Sequence, residues 1–591
     1  MAKEIKQKKQ DLGIFYTDPK IANFVFDILK IWKDKEEQES GRWESRKHFP
    51  SVIDPAVGEG VFLKSALEQN FTTPKYVFGV DIDEEVKKKW VEINLLKSFG
   101  SRAELDNHFY HQNGLIPLDG NKVFRHKKGG LKEFDTVVGN PPYGGIGLGE
   151  TKLSDDLILN LSKYEVLPEK IRNYLIGADG QKSFLSSTEK ANKVSSEVKL
   201  RLKSFPIEIL FIDRFIQLAK PGGWIAIIIP DGILTNSNSH YVREFISEKT
   251  KVEAIVSLPR DAFKNVGTSA KTSILFLQKY KNQGEKRDLN YPVFLASVDS
   301  LDEKNFNFIK NTYQKYYNKN MSKKNLVQTT TDEKGREIVM VRVDKTLKEM
   351  MGEKPASRWD PKYWRPQYNE MYKYIYSHEY NDLGRFIKII TDGNRGERAF
   401  SKKKNEVVYI QATNMVNTGL DFSHSVNYVK KGSWLDPERS RVNKNDILLG
   451  ERGVASTGRV VVIHRNMGLM NISQIIALIR LKKINPFYVG IFLKSFFGQG
   501  QIKRLQSGIG PAKLVFDEIK SIKIPILPDV VQKSIESEYK KMSKYHDKAI
   551  EEKKEGNEVE YKNNIEIAEK MLKDLIAKTE AVIRGERKDV I

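Results

Sequence analysis

Three short apolar runs, each ending in a turn, constrain the fold of this chain more than any other feature. SVIDPAVGEGVFLKSAL, from Ser51 to Leu67, reads as a β-branched strand, a Gly-rich turn and an apolar-periodic helix. YVFGVDID is a second strand ending near Asp81, and FDTVVGN a third that stops at Asn140, Pro141, Pro142 and Tyr143. Short strands alternating with a helical pattern build a parallel sheet covered by helices, so the expected core is α/β, doubly wound and Rossmann-like. Gly58 and Gly60 allow close backbone approach to a ligand. Asp81 follows them by about 20 residues, the spacing at which a carboxylate meets a ribose diol. The alternative is a βαβ unit that binds nothing.

The NPPY string at the end of the third run has a specific chemical use. An exocyclic amine conjugated to its ring is a poor nucleophile. An Asn side-chain oxygen and the carbonyl of the next residue can each accept one of its N–H bonds, favouring the geometry that frees the lone pair. Pro141 and Pro142 stiffen the turn that aims those acceptors, and Tyr143 offers a stacking plate for a base rotated out of a duplex. A strand followed by Asn-Pro-Pro is also an ordinary turn. The glycine loop upstream favours the chemical reading.

Together these residues resemble the S-adenosylmethionine-dependent DNA adenine-N6 methyltransferases whose cofactor motifs precede NPPY. The resemblance implies that GIFYTDPKIANFVFDIL, Gly13 to Leu29, holds the methionine end of the cofactor through Tyr16 and Thr17. It places Asp54 at the cofactor's amino group and Asp81 at its ribose, with Ile82 beside it, and Gly58 and Gly60 in the cradle. Asn113 stands where the family commonly has an Asp against the cofactor adenine. Asn140, which also counts among the cofactor-binding residues, forms the target-adenine clamp with Pro141 and Tyr143. From Pro206 to Lys279 the chain is similar to the modification subunits of type I restriction systems: FIDRFIQLAKPGGWIAIIIPDGIL reads as an amphipathic helix, a turn and an apolar strand. There Phe263 lies near the flipped base, or else caps the core as a loop aromatic. The resemblance covers nearly all of residues 10 to 285.

Composition agrees with a nucleic-acid enzyme. The formal charge is +22 and the pI near 9.4, suited to a phosphate backbone or simply to solubility. The chain has no cysteine, which removes the thiolate nucleophile used to methylate cytosine C5, along with disulfides and thiolate metal sites. No metal is expected, and no run approaches the roughly 20 apolar residues of a membrane helix, so a cytoplasmic protein is expected.

The 591 residues divide into an expected catalytic domain over 1–285, a charged connector over 286–355, a recognition domain over 356–529 and a helical spacer over 530–591. A Ser- and Lys-rich insertion over about 144–205 is either a lid over the extruded base or a solvated loop. After Arg358, VVYIQATNM, NDILLGERG, GRVVVIH and QIIALIRL read as short strands. That order resembles half of a type I specificity subunit, an α+β target-recognition domain followed by a spacer helix, and the whole resembles a type IIG-like methylase without its nuclease. Tyr363, Trp364, Arg395 and Arg452 are candidates for DNA contact, with structural or phosphate-directed roles as the alternative. Ile550, Ile565, Ala568, Met571, Leu572 and Leu575 form one apolar stripe on the terminal helix, which packs on itself, on the methylase domain or on another chain. The expected partners are double-stranded DNA and either a second copy or a separate nuclease or specificity subunit. Cytosine-N4 methylation, glutamine methylation of protein, and a DNA-specificity component without activity are the competing readings.

Overall fold

In the computed structural model the described residues are 17–40, 49–83, 85–86, 90, 108–116, 133–143, 161, 163–167, 169, 205–263, 271–282, 287–353, 357–396, 400, 406–424, 426–453, 455–506 and 513–591. Tyr16 and most of the 144–205 insertion lie outside them. The chain divides into two compact units, Met1–Lys362 and Tyr363–Ile591.

In the first unit, helix α1 (Pro19–Ser40) precedes strand β1 (Val52–Asp54), helix α2 (Val61–Glu68), and strands β2 (Val77–Asp81), β3 (Phe109–His111) and β4 (Phe134–Gly139). Helix α3 (Ile207–Leu218), strand β5 (Ala219–Pro230), helices α4 (Asp231–Thr235) and α5 (His240–Lys249), and strands β6 (Thr250–Ser257) and β7 (Thr272–Lys279) follow. Among the described residues one sheet runs in the order β3-β2-β1-β4-β5-β7-β6 and continues beyond it. Strands β3, β2, β1, β4 and β5 are parallel neighbours, and β7 is antiparallel to both β5 and β6. Strand order reverses between β1 and β4, and in such a sheet a ligand crevice opens outside the carboxyl ends at that point.

The stretch expected to be a connector belongs to this sheet. It supplies β8 (Phe294–Val298), helix α6 (Glu303–Tyr317), β9 (Val327–Thr331), β10 (Glu337–Arg342) and helix α7 (Leu347–Gly352), and it extends the order by β8-β10-β9. Strand β8 pairs parallel to β6, and β10 antiparallel to β8. Phe24 of α1 stacks on Phe306 of α6 with centroids 4.7 Å apart, and the Trp32 indole N–H donates to the Tyr313 hydroxyl at 2.6 Å. Apolar residues at 21, 24, 25, 28, 29 and 32 give α1 the helical spacing that buries this face. The segment reads as polar because β9 is an edge strand and half of α6 faces water. Helix α3, expected to be amphipathic, is buried along nearly its whole length.

The first unit closes with residues 357–360. The Trp359 amide donates to the Leu234 carbonyl at 3.0 Å and its ring is fully buried. Arg358 and Asp360 form a buried two-pronged ion pair, and the buried Arg243 donates to the Ser357 hydroxyl at 2.7 Å.

The second unit begins with helix α8 (Pro366–Tyr376), β11 (Tyr380–Asp382), β12 (Ile387–Asp392), β13 (Val407–Ile410), β14 (Asn427–Val429), β15 (Ile447–Gly450), β16 (Val460–Val462), β17 (Met470–Ile472) and β18 (Ile476–Leu481). Helices α9 (Pro486–Lys494), α10 (Phe496–Leu505) and α11 (Phe516–Lys520), strand β19 (Lys523–Pro525) and helices α12 (Asp529–Glu555) and α13 (Glu558–Arg584) complete it. Four strands order as β12-β18-β15-β16 and three as β14-β13-β17 around a core that includes Ile410, Leu448, Ile472 and Leu478. The terminal segment is two helices packed on each other, not one. Gly556 caps α12 at φ 81°, a conformation that costs an L side chain energy, and the chain turns back. Its buried face also meets loops of its own unit, where the Thr418 hydroxyl and His546 Nδ1 are 2.9 Å apart and Asp547 pairs with Arg465 at 2.8 Å. No helix among the described residues is long and apolar enough to cross a membrane.

A chain ending at Lys362 is expected to melt cooperatively. One ending at Met350, which deletes Trp359 and the Arg358–Asp360 pair, is expected to melt at least about 5 °C lower by circular dichroism, since a buried Trp contributes about 3–5 kcal/mol. Equal melting of the two fragments would show that the 357–360 segment adds nothing to the first unit.

Candidate active site

The carboxyl ends of β1, β2 and β4 bring the expected residues together. Asp54 ends β1, Asp81 ends β2, and Asn140 follows β4. The contact between β1 and β4 depends on Gly139, where an added Cβ would stand 2.5 Å from Asp54 Oδ1 and 3.1 Å from the Phe215 ring. Asp54 Oδ1 accepts the Ala56 amide at 3.0 Å, and among the described residues no cation pairs with it. Burial pushes the Asp54 carboxyl up to about 8, the Ala56 hydrogen bond opposing and the charge of Asp81 adding to the rise.

The glycine loop is held from both sides. The Gly58 amide donates to Asp81 Oδ2 at 2.8 Å, and the Trp90 indole N–H donates to the Gly58 carbonyl at 3.1 Å, with Gly58 at φ 50°. Gly60 at φ 79° opens α2. A Cβ at Gly58 would meet nothing within 4 Å, so the turn borders open space. Asp81 therefore clamps the loop as well as facing the crevice, and its other oxygen accepts the Asp83 amide at 2.9 Å. A carboxylate offers about four lone-pair sites, which leaves room for a hydroxyl donor. Burial raises the Asp81 carboxyl too, against the hydrogen bonds from Asp83 and Gly58. Ile82, next along, is 47% exposed, a flat apolar surface beside the crevice.

Asn113 follows β3 and closes its own turn, Oδ1 accepting the Leu115 amide at 3.0 Å. This loop is pressed against the end of β1: a Cβ at Gly114 would lie 1.8 Å from the Pro55 carbonyl oxygen. The buried Arg214 on α3 fixes it from below, donating to the Gly114 carbonyl at 3.0 Å.

Thr17 is buried beside NPPY, and the Asn140 side-chain nitrogen donates to its hydroxyl at 3.2 Å. The Asn140 side chain also lies beside the Tyr143 hydroxyl and works against the rise that burial gives its pKa. With its nitrogen directed at Thr17, the amide is held in one of its two orientations. Tyr143 is fully buried, burial raises its hydroxyl pKa, and its ring meets Phe263 edge-on with centroids 6.4 Å apart. Phe263 is itself buried in the core cluster, as the reading of a loop aromatic capping the core expects. Gly139, Gly114, Arg214 and Trp90 were not among the expected site residues. Two of these are glycines adjoining an expected site residue, in GN and NG pairs, which was a legible signal, whereas Trp90 and Arg214 act through contacts distant in sequence.

The four candidates for DNA contact separate. Tyr363 and Trp364 are buried, pack edge-on at 5.2 Å, and Tyr363 lies under the Arg504 guanidinium at 3.8 Å. They are packing residues of the second unit, not a surface. Arg452 pairs with the buried Glu451 at 2.9 Å, and Arg395 is exposed.

Three family models match the chain: N-6 DNA Methylase over residues 188–339, Eco57I restriction-modification methylase over 75–263, and Type I restriction modification DNA specificity domain over 379–561. The first runs into β10, so it takes in residues 286–339 of the stretch expected to be a connector. Uncharacterized protein YtxK of Bacillus subtilis (strain 168) is 25% identical over 211 residues, 36% of this chain and 46% of that protein. The matched stretch thus spans less than half of that relative. The EcoKI M protein, of a type I restriction enzyme, is 16% identical over 58% of this chain and 66% of its own, with a TM-score of 0.34. The type IIG restriction endonuclease BpuSI is 15% identical over 95% of this chain and 66% of its own, with a TM-score of 0.42. The described sheet is the doubly wound α/β arrangement expected from the sequence. The chain thus joins a stretch that matches the N-6 DNA Methylase model in the first unit to one that matches the type I DNA specificity domain in the second.

Asp54 generates a pH prediction. Its folded pKa, about 8, stands above the ordinary carboxylate value, so its contribution is complete at acid pH and is lost as pH rises toward 8. Asp54→Asn keeps the acceptor for Ala56 and removes the charge. The variant without ligand is expected to melt above the parent at pH 8 and to match it near pH 4. A parent that is equally stable at both pH values relative to the variant would show that Asp54 ionises normally.

Proposed function

We propose that this chain is a site-specific DNA methyltransferase that moves a methyl group from S-adenosylmethionine to the N6 amine of an adenine rotated out of the duplex. The observation that carries the reading is the NPPY turn at the carboxyl end of β4, at the reversal of strand order, with the Asn140 amide oriented through Thr17. The residues fit the cofactor. The buried Asp54 and the half-buried Asp81, neither with a cation partner among the described residues, suit a ligand that carries positive charge, and the Gly58 turn borders open space. When bound, S-adenosylmethionine supplies an electrophilic methyl group on a sulfonium.

The protein's part is to bind, orient and exclude. Asp54 faces the cationic end of the cofactor, and Asp81 accepts from the ribose while holding the loop. Thr17 acts as a positioning residue: by taking the Asn140 nitrogen it assigns the oxygen to the target amine. The Pro141 carbonyl is the second acceptor. Hydrogen bonds to both N–H groups favour the geometry in which the lone pair points at the methyl group, and alignment of this kind can supply roughly 7–11 kcal/mol. Tyr143 and Phe263 border the base. Transfer is direct, since the chain contains no cysteine to attack the ring. The second unit reads the surrounding sequence, because one adenine in a pocket carries no information about its neighbours.

Asn140→Ala is expected to lower methyl transfer by about 100-fold or more while S-adenosylmethionine still binds by calorimetry. Near-normal turnover would remove the clamp. Asp81→Ala is expected to weaken cofactor binding at least about tenfold, the loss of one charged hydrogen bond being about 1.5–3 kcal/mol. An unchanged Kd would place the ribose elsewhere. Strand-resolved methylation sequencing of plasmid from a methylation-free host expressing the chain tests the whole reading. N6-methyladenine in one sequence context is expected, and N4-methylcytosine or no modified base would reject it.

A further inference from the structure

In the second unit an exposed tryptophan is held by hydrogen bonds at both its ring and its backbone. Trp434 is 69% exposed, yet its indole N–H donates to the Arg395 carbonyl at 2.6 Å and its own carbonyl accepts from Asn394 Nδ2 at 2.7 Å. Gly396 leaves room for the ring, since a Cβ there would sit 3.0 Å from Trp434 Cδ1. Arg439 braces the same loop through Thr391 and Asn394. From beneath, the buried Asp436 accepts the Gly432 amide at 2.9 Å, a two-pronged bond from Arg441 and Asn471 Nδ2 at 2.9 Å, which fixes the turn carrying Lys430, Lys431 and Trp434. Arg395, Lys430, Lys431 and Arg439 are exposed on the same loops, as is Glu438.

A large ring left in water costs solvation, and a backbone frame that stops it folding down onto the surface has a purpose only if something covers it. Among the described residues the exposed charges flanking the ring are Arg395, Lys430, Lys431 and Arg439 against Glu438, a net positive setting that selects a polyanion which also presents flat apolar faces. Building on the DNA-methyltransferase reading, we infer that Trp434 is a stacking contact of the recognition unit with DNA. Its ring lies on a base or deoxyribose, and Lys430 and Lys431 pair with the adjoining phosphates. Preorganisation by the Arg395, Asn394 and Asp436 hydrogen bonds lowers the ordering cost of that contact.

The test uses the full-length chain and a duplex carrying the sequence context that methylation sequencing defines. Trp434→Ala is expected to weaken binding about 10- to 100-fold with cofactor affinity unchanged, and Trp434→Phe, which keeps a ring, to recover most of the loss. The Lys430→Ala, Lys431→Ala double variant is expected to flatten the slope of log K against log salt by about 1.8, or about 0.9 per phosphate. Undiminished affinity in Trp434→Ala would overturn the proposal. So would a loss equally severe in Trp434→Phe, which would assign the effect to the loop hydrogen bond rather than to the ring. If the parent chain binds the duplex no better than unrelated DNA, the failure lies with the DNA-methyltransferase reading itself.

Discussion

The site rests on the contact between β1 and β4, where the absence of a side chain at Gly139 lets the carboxylate of Asp54 lie directly under the turn that carries Asn140. Parallel neighbours of opposite connection diverge at their carboxyl ends, and that divergence makes a crevice between them. Any Cβ at 139 would push the strands apart or displace Asp54. The result is a buried carboxylate a few ångströms from the NPPY turn, with its pKa raised by desolvation. The free protein carries this cost, which a positive charge placed beside Asp54 would relieve.

Around that contact the supporting groups are arranged in tiers. Trp90 and Asp81 grip the Gly58 turn, Arg214 presses the Asn113 loop against the end of β1, and Thr17 orients Asn140. Each support comes from a different element, so the geometry at the crevice reports on the packing of α1, α3 and the whole sheet. The added strands β8, β10 and β9, with α6 packed on α1, stiffen the element from which Thr17 emerges. The second unit works differently. Its strands are short, and buried polar residues such as Asp436 and Asn471 spend their hydrogen bonds on loops, which suits a surface whose loops must hold their shape.

Much of this was legible in the sequence wherever the signal was local. The strand, glycine turn and helix from Ser51 to Leu67, the strand ending at Asp81, the NPPY turn and the short strands after Arg358 all follow from period, turn residues and β-branched content, and all are present. The segment over 286–355 was misread as a connector because an edge strand and a half-exposed helix look polar, and only their pairing with β6 and α1 shows them to be part of the sheet. Tyr363 and Trp364 looked like a DNA-contacting surface because aromatic and basic residues adjoin them in the chain, yet Arg504, distant in sequence, turns that cluster inward.

The amino-acid sequence by itself determined the chemistry on offer: an amide and a following carbonyl on a stiff turn, two carboxylates at strand ends, a glycine loop, and no thiolate. These are properties of residue type and short spacing, and short spacing survives in any fold the chain adopts. Tertiary structure alone decided that the Asn140 nitrogen meets Thr17, that Gly139 admits Asp54, and that Trp434 stands out in water on a braced loop while Tyr363 does not. Those outcomes depend on contacts across tens to more than a hundred residues, and such contacts come from the order of strands in the sheet and the packing of helices on it, which no local pattern encodes.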